Sequence, residues 1–109
     1  MDGVFQIKII NNLDIDILLK TSFNYPDTTI PESKSFTKIK SKGFFTESLS
    51  STADDLRDEA KSDTISFFFL DKKIVETEPW DSIRKNYEIL ARKEIWVEDL
   101  IRTREVVYP

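Results

Sequence analysis

Between Asp63 and Asp71 the chain reads Thr-Ile-Ser-Phe-Phe-Phe-Leu, with four consecutive large apolar residues at 67–70. Successive side chains of a strand point to opposite faces, so a run without polar alternation has to be covered on both sides. This segment is therefore expected at the centre of the fold. Lys72-Lys73 then read as a turn or short extension, and Ile74 and Val75 as the start of another strand. A chain of 109 residues gives one domain, 1–109, able to bury roughly two thirds of its unfolded surface.

The first third alternates. Phe5, Ile7 and Ile9 oppose Gln6 and Lys8, and Ile15, Ile17, Leu19 and Phe23 oppose Asp14, Asp16, Lys20 and Ser22. Period-two alternation marks strands with one wet face. Asn11-Asn12 lies between the runs, and Asn tolerates the left-handed geometry of tight hairpins. The expectation is an antiparallel hairpin, 4–11 with 14–23. The following SFNYPDTTIP, residues 22–31, reads as a turn and crossover. Pro26 suits the second position of a turn and Asp27 the third, while Pro31 ends ladder pairing. The competing reading makes Asn24, Tyr25 and Asp27 a rim that presents to a ligand.

A strand is expected over 35–41. There Lys34, Lys38, Lys40 and Lys42 share one parity, either a basic stripe for an acidic partner or a solvated face that blocks edge pairing. Residues 46–63 are polar, and Thr52 is placed to cap a helix over 53–60. Asp54 and Asp55 favour its dipole from the first turn, and the cluster they form with Asp58 and Glu59 lacks the spacing of a calcium loop. Trp80, Ile83, Tyr87 and Leu90 recur at helical spacing, giving a helix over about 79–87, with a continuation to 91 as the longer alternative, and Pro79 in its first turn. A helical turn over 97–102 and a strand over 104–108 close the reading.

Absent residue types exclude much chemistry. The chain has no His and no Cys, which removes imidazole-activated nucleophiles, most zinc sites and thiol redox reactions. Neither glycine, Gly3 or Gly43, sits in a phosphate-binding loop. Carboxylates remain, paired as Asp54 with Asp58, Glu78 with Asp81, and Glu98 with Asp99, but their abundance makes them uninformative without a cleft. No catalytic residue, cofactor or metal ligand is assigned. Net charge is −4; residues 1–50 hold six charges of each sign, and residues 51–109 hold ten basic and fourteen acidic. That balance disfavours nucleic acid and anionic membranes as partners. No leader pattern is visible at the start, the apolar run is too short to span a bilayer, and a cytoplasmic location is the default unless an export signal has been removed.

Thirteen aromatic side chains, eight Phe, three Tyr and two Trp, are a large supply for one small core. Tyr25, Trp96 and Tyr108 are candidate anchors of a protein interface, against the alternative that all three pack inside. The motifs INNLDIDI at 10–17, FNYPDT at 23–28, PWDSIRKNYEIL at 79–90, EDL at 98–100 and the final VVYP resemble a group of short uncharacterised proteins of gut Bacteroidetes, with YPD and WD–EDL–YP signatures. That resemblance implies a small intact domain and carries no activity, cofactor or catalytic residue with it. Where the group places an N-capping Ser or Thr before EDL, this chain has Ile95-Trp96-Val97.

The fold expected is mainly β, an antiparallel β-sandwich-like domain with two short C-terminal helices, or else α+β with helices on one sheet face. The function expected is non-catalytic: a protein-binding or accessory, immunity-like module, with another protein as partner and Asn24, Tyr25, Asp27 and Trp96 as contacts. A small-ligand or carbohydrate-binding domain is the alternative, and a small carboxylate-dependent hydrolase the third reading. Oligomeric state is not legible.

Overall fold

A computed structural model describes residues 5–60 and 62–109. Met1–Val4, which bear on the leader argument and on the start of the first strand, lie outside the described residues. The elements run β1 (Phe5–Asn11), β2 (Ile17–Ser22), β3 (Thr37–Ile39), β4 (Phe44–Ser50), α1 (Ala53–Glu59), β5 (Thr64–Asp71), α2 (Lys72–Thr77), α3 (Trp80–Asn86), β6 (Ala91–Trp96), α4 (Val97–Thr103) and β7 (Glu105–Tyr108). Two sheets form, with strand orders β4-β1-β7 and β3-β2-β5-β6. Pairing is antiparallel throughout except for β1 with β7, which is parallel.

The run at 65–70 is fully buried and β5 is an interior strand, as its composition requires. Its two faces enter two different cores. Ile65, Phe67 and Phe69 join Ile17 and Leu19 of β2, Ile7 and Ile9 of β1, and Leu56, Val97 and Leu100 of α1 and α4. Phe68 and Leu70 join Leu18, Ile30, Trp80 and Ile83 under α3. The molecule is thus three layers deep: the three-stranded sheet, the four-stranded sheet, then α3 with the loop that follows β2. Each fully buried Phe or Leu contributes about 1.5–3 kcal/mol by leaving water, so the FFFL run welds the layers together.

The two N-terminal runs are strands, but they do not form a hairpin. β1 pairs with β4 and β7, and β2 pairs with β3 and β5. The connection crosses between sheets, and Asn11 makes the corner with its side chain. Asn11 is fully buried. Its Nδ2 donates to the carbonyls of Ile15 (2.9 Å), Ile39 (3.2 Å) and Lys40 (3.1 Å), and its Oδ1 accepts from the Leu13 N–H (2.9 Å). Among the described residues the positive-φ ones other than glycine are Lys42, Asp63, Tyr87 and Arg104, so the left-handed geometry expected at Asn11 is not used. β2 also lacks a wet face: Leu18, Lys20 and Ser22 are buried under the third layer, and Ile15 is exposed.

Several boundaries move. Ile74 and Val75 belong to helix α2, started by Asp71, whose Oδ1 accepts from Lys73 N–H (2.9 Å). α3 ends at Asn86 with Tyr87 left-handed, so of the expected helical stripe Trp80 and Ile83 are buried, whereas Tyr87 and Leu90 stay exposed. The expected strand at 35–41 shrinks to β3, and β4 occupies part of the stretch read as polar. Thr52 caps α1 as expected, accepting from Asp55 N–H (3.0 Å). α4 starts at Val97 without a side-chain cap; the Asp63 carbonyl accepts the Val97 N–H (2.8 Å) instead.

Candidate functional site

The SFNYPDTTIP stretch opens a strap that crosses the outer face of the four-stranded sheet. Residues 23–36 have no ladder partner, so their carbonyls need other donors. Side chains supply them. Tyr25 O accepts from the Ser62 hydroxyl, Thr28 O from Tyr87 Oη (2.8 Å), Ile30 O from Arg84 Nε (2.8 Å) and Glu32 O from Trp80 Nε1 (2.8 Å). Lys20 Nζ donates to the carbonyls of Ser33 and Ser35 and lies 5.2 Å from the Phe36 ring centroid. Burial holds the Lys20 ammonium below the ordinary lysine pKa. A lysine in the middle of β2, expected on a wet face, is therefore a strap anchor.

At the start of this strap, Asp27 N–H donates to Asn24 O (2.8 Å) across a cis Tyr25–Pro26 bond. Pro26 thus takes the third turn position, as in turns built on a cis proline, and not the second. Asp27 Oδ1 accepts from Thr29 N–H (2.9 Å), and Asn24 N–H donates to Ser22 Oγ (3.2 Å). Tyr25 is half-buried, while Asn24 and Asp27 are exposed.

Trp96 stands at the same end of the same sheet. It faces Thr64 across the β5–β6 ladder and is 54% exposed. The 62–64 turn ties both features together: Ser62 holds the Tyr25 carbonyl, and Thr64 pairs with Trp96. Of the four predicted contact residues, Tyr25 and Trp96 are brought to one end of one sheet by this turn, with Asn24 and Asp27 in the adjoining loop. Beside them runs the row Ser22–Ser66–Glu94 across β2, β5 and β6. Ser66 Oγ is buried there without a hydrogen-bond partner. Tyr108 does not belong to this surface, for its ring stacks on Phe69 between the sheets (4.5 Å, 14°).

The basic parity of the lysines does not survive as a strand face. Lys38 alone lies in β3, and Lys40 and Lys42 occupy the following turn. Two exposed aromatics next to that turn, Phe44 at 61% and Phe45 at 42%, had no sequence signal beyond the doublet itself.

Carboxylates gather around one concavity at the β1–β2 corner. A groove of about 330 Å³ between the β1–β2 corner and α2 is lined by Asp14, Ile15, Asp16, Asp71, Lys72, Lys73 and Glu76. Each carboxylate has a structural partner. Asp16 accepts from Ser41 N–H (2.9 Å), Asp71 caps α2, Glu76 pairs with Lys72 (2.7 Å), and Asp14 lies 3.6 Å from Lys42. None is buried, and no group of acidic residues among the described residues could hold a metal ion. The groove thus gathers charge of both signs, with its carboxylates engaged in holding the turn and α2.

The sequence pairs are divided among other partners. Glu98 bridges α4 to α1 through Arg57 (2.7 Å), which also holds Asp54, and Asp99 pairs with Arg102 (2.7 Å). The Arg57 hydrogen bond lowers the Glu98 pKa. Glu78 shares a hydrogen bond with Glu88, and that contact raises the Glu78 carboxyl above its ordinary value. No helix among the described residues is long and apolar enough to cross a membrane. No protein-family model, curated protein or solved structure matches the chain.

Proposed function

We propose that the chain is a non-catalytic protein-binding module, an accessory or immunity-like protein that docks a partner protein through the end of the four-stranded sheet where Trp96 and the Tyr25 turn meet. The observation that carries this reading is Trp96. An indole left half in water on a structured strand costs hydrophobic free energy in the free protein and gives it back when a partner covers it, which is why Trp concentrates interface energy. Its support is rigid, since β6 is fixed in the β5 ladder and the α4 start is bonded to Asp63. Charged neighbours on β6, Arg92 paired with Glu94, supply a polar border.

The small-ligand reading of Asn24 and Asp27 has less to work with, because the Asn24 carbonyl and Asp27 Oδ1 are engaged within the turn. The test is affinity capture from the source cell with wild type, Trp96→Ala and Tyr25→Ala as bait, each checked for unchanged melting. A specific partner retained by wild type and lost with Trp96→Ala supports docking. A partner retained equally by all three baits refutes this surface, and a ligand-induced melting shift abolished by Tyr25→Ala with no protein partner favours the small-ligand reading.

A further inference from the structure

Four strands form the sheet edges, and three of them carry the devices that keep edges from pairing. β3 is only three residues long. β6 carries Arg92, Lys93 and Glu94 in succession. β7 is four residues long, its Val107 carbonyl is taken by Lys93 Nζ (2.9 Å), and Pro109 follows it. β4 has none of these. It is seven residues, FFTESLS, without Lys or Pro, and its one charge, Glu47, accepts from the Thr37 hydroxyl.

The ladder phase shows what β4 presents. Asn11 N–H donates to Gly43 O (2.8 Å), so the Gly43 carbonyl and the main-chain groups of Phe45 and Glu47 aim at β1, and Phe44, Thr46 and Ser48 aim theirs away from the sheet. The regular stretch ends at Ser48, because the register shifts between Phe5 and Gln6, which face Ser50 and Ser48. Five residues, 44–48, therefore form an edge without a strand partner among the described residues, with Thr46 at its midpoint. On the exposed face Phe44, Ile10 and Val107 lie in one cross-strand row, and Lys8 Nζ sits 4.3 Å from the Phe44 ring centroid.

We propose that two copies of the chain pair through their β4 edges, antiparallel about a two-fold axis at Thr46, joining two three-stranded sheets into one of six strands. Charge complementarity selects a second copy as the occupant. An antiparallel pair sets the start of each β4, next to Lys40 and Lys42, beside the end of the other, from which α1 departs with Asp54, Asp55, Asp58 and Glu59. Lys40 is exposed and pairs with no described carboxylate, and Asp55 and Asp58 pair with no described cation. The same patch meets itself, as an isologous contact requires. The register follows from the charges too. An axis at Thr46 places Glu47 opposite Phe45 of the second copy and Phe44 opposite its Ser48, whereas an axis at Glu47 would face two carboxylates directly.

The chain has no Cys, so Thr46→Cys introduces a single thiol. Facing hydrogen-bonded residues of an antiparallel pair have Cα atoms about 5.5 Å apart, within disulfide range. Mild oxidation is expected to link Thr46→Cys rapidly into a covalent dimer, and to leave Lys85→Cys, an exposed control on α3, largely unlinked. Sedimentation equilibrium of wild type is expected to show dimer, weakened by salt and by Lys40→Glu. Thr46→Pro and Thr46→Glu both spare the β1 ladder, since the Thr46 N–H faces away from it and a Glu at 46 lies opposite Lys8, and each should raise the dissociation constant at least about tenfold without unfolding the monomer. A wild type that stays monomeric to about 1 mM, or Thr46→Cys that links no faster than Lys85→Cys, overturns the proposal. Trp96-dependent capture is independent of these readings, so either surface can fail alone.

Discussion

Asn11→Leu is the sharpest test of how this chain turns from one sheet into the other. The native amide makes four hydrogen bonds at 2.9–3.2 Å to four different residues, and one of them, to Ile39 O, is fully buried. Leucine has similar volume, so the substitution opens no large void and isolates the polar loss. Leaving the buried Ile39 carbonyl unpaired costs about 1–3 kcal/mol, and the three partly buried bonds about 0.5–1.5 kcal/mol each, so the total is about 2.5–7.5 kcal/mol. At about 4–8 °C per kcal/mol for a domain of this size, melting should fall by at least roughly 10 °C. Urea titration followed by the fluorescence of Trp80, which α3 buries against the four-stranded sheet, reads the change directly. Asn11→Asp separates the terms. It keeps the acceptor for Leu13 and sets a carboxylate against three carbonyl oxygens. That carboxyl's folded pKa would be raised, so its penalty should be full at pH 7 and shrink as pH falls toward the ordinary Asp value of about 3.9. A loss below about 1 kcal/mol for Asn11→Leu would refute the corner as described.

Other perturbations have equally definite signs. Glu78→Gln removes a like-charged contact with Glu88. Because the folded Glu78 pKa is raised, its stabilising contribution is present at acid pH and lost as pH rises through that value, so the variant should melt higher than wild type at pH 7 and no higher at pH 4. Glu98→Gln has the opposite profile: Arg57 depresses the folded Glu98 pKa, so the variant should lose stability at pH 7 and converge with wild type in acid. Lys20→Met withdraws the donor shared by the Ser33 and Ser35 carbonyls, and amide exchange should quicken roughly tenfold or more in the 30–36 strap while the β5 amides stay slow.

The sequence makes plain the features that depend on local pattern. The FFFL run announces an interior strand because no other residue spacing needs cover on both faces, and Thr52 with Asp54 and Asp55 announces α1. The hairpin reading fails because two alternating strands separated by a short polar stretch look the same whether they pair or cross between sheets. What decides is the set of carbonyls gathered around Asn11, two of them from residues 28 and 29 positions later. Lys20 misleads similarly, since a lysine at a polar parity is normally wet, and only the strap arriving from 33–35 supplies it with acceptors. β4 is obscure because an edge strand with Thr, Glu and Ser carries little apolar alternation. At the candidate surface, Trp96 and Tyr25 are legible as aromatics with an unusual setting, but their meeting through the 62–64 turn is a property of the β5–β6 register. Tyr108 carries the same residue-level signal as Tyr25 and packs inside, because the parallel β1–β7 pairing turns it toward Phe69.

Hydrogen exchange on the complex with a captured partner tests the docking account most directly. Protection confined to 24–27, 62–64 and 94–97, and lost with Trp96→Ala, is the predicted footprint. A footprint centred on Asp14, Asp16, Asp71 and Glu76, with 94–97 exchanging as in the free protein, would contradict it.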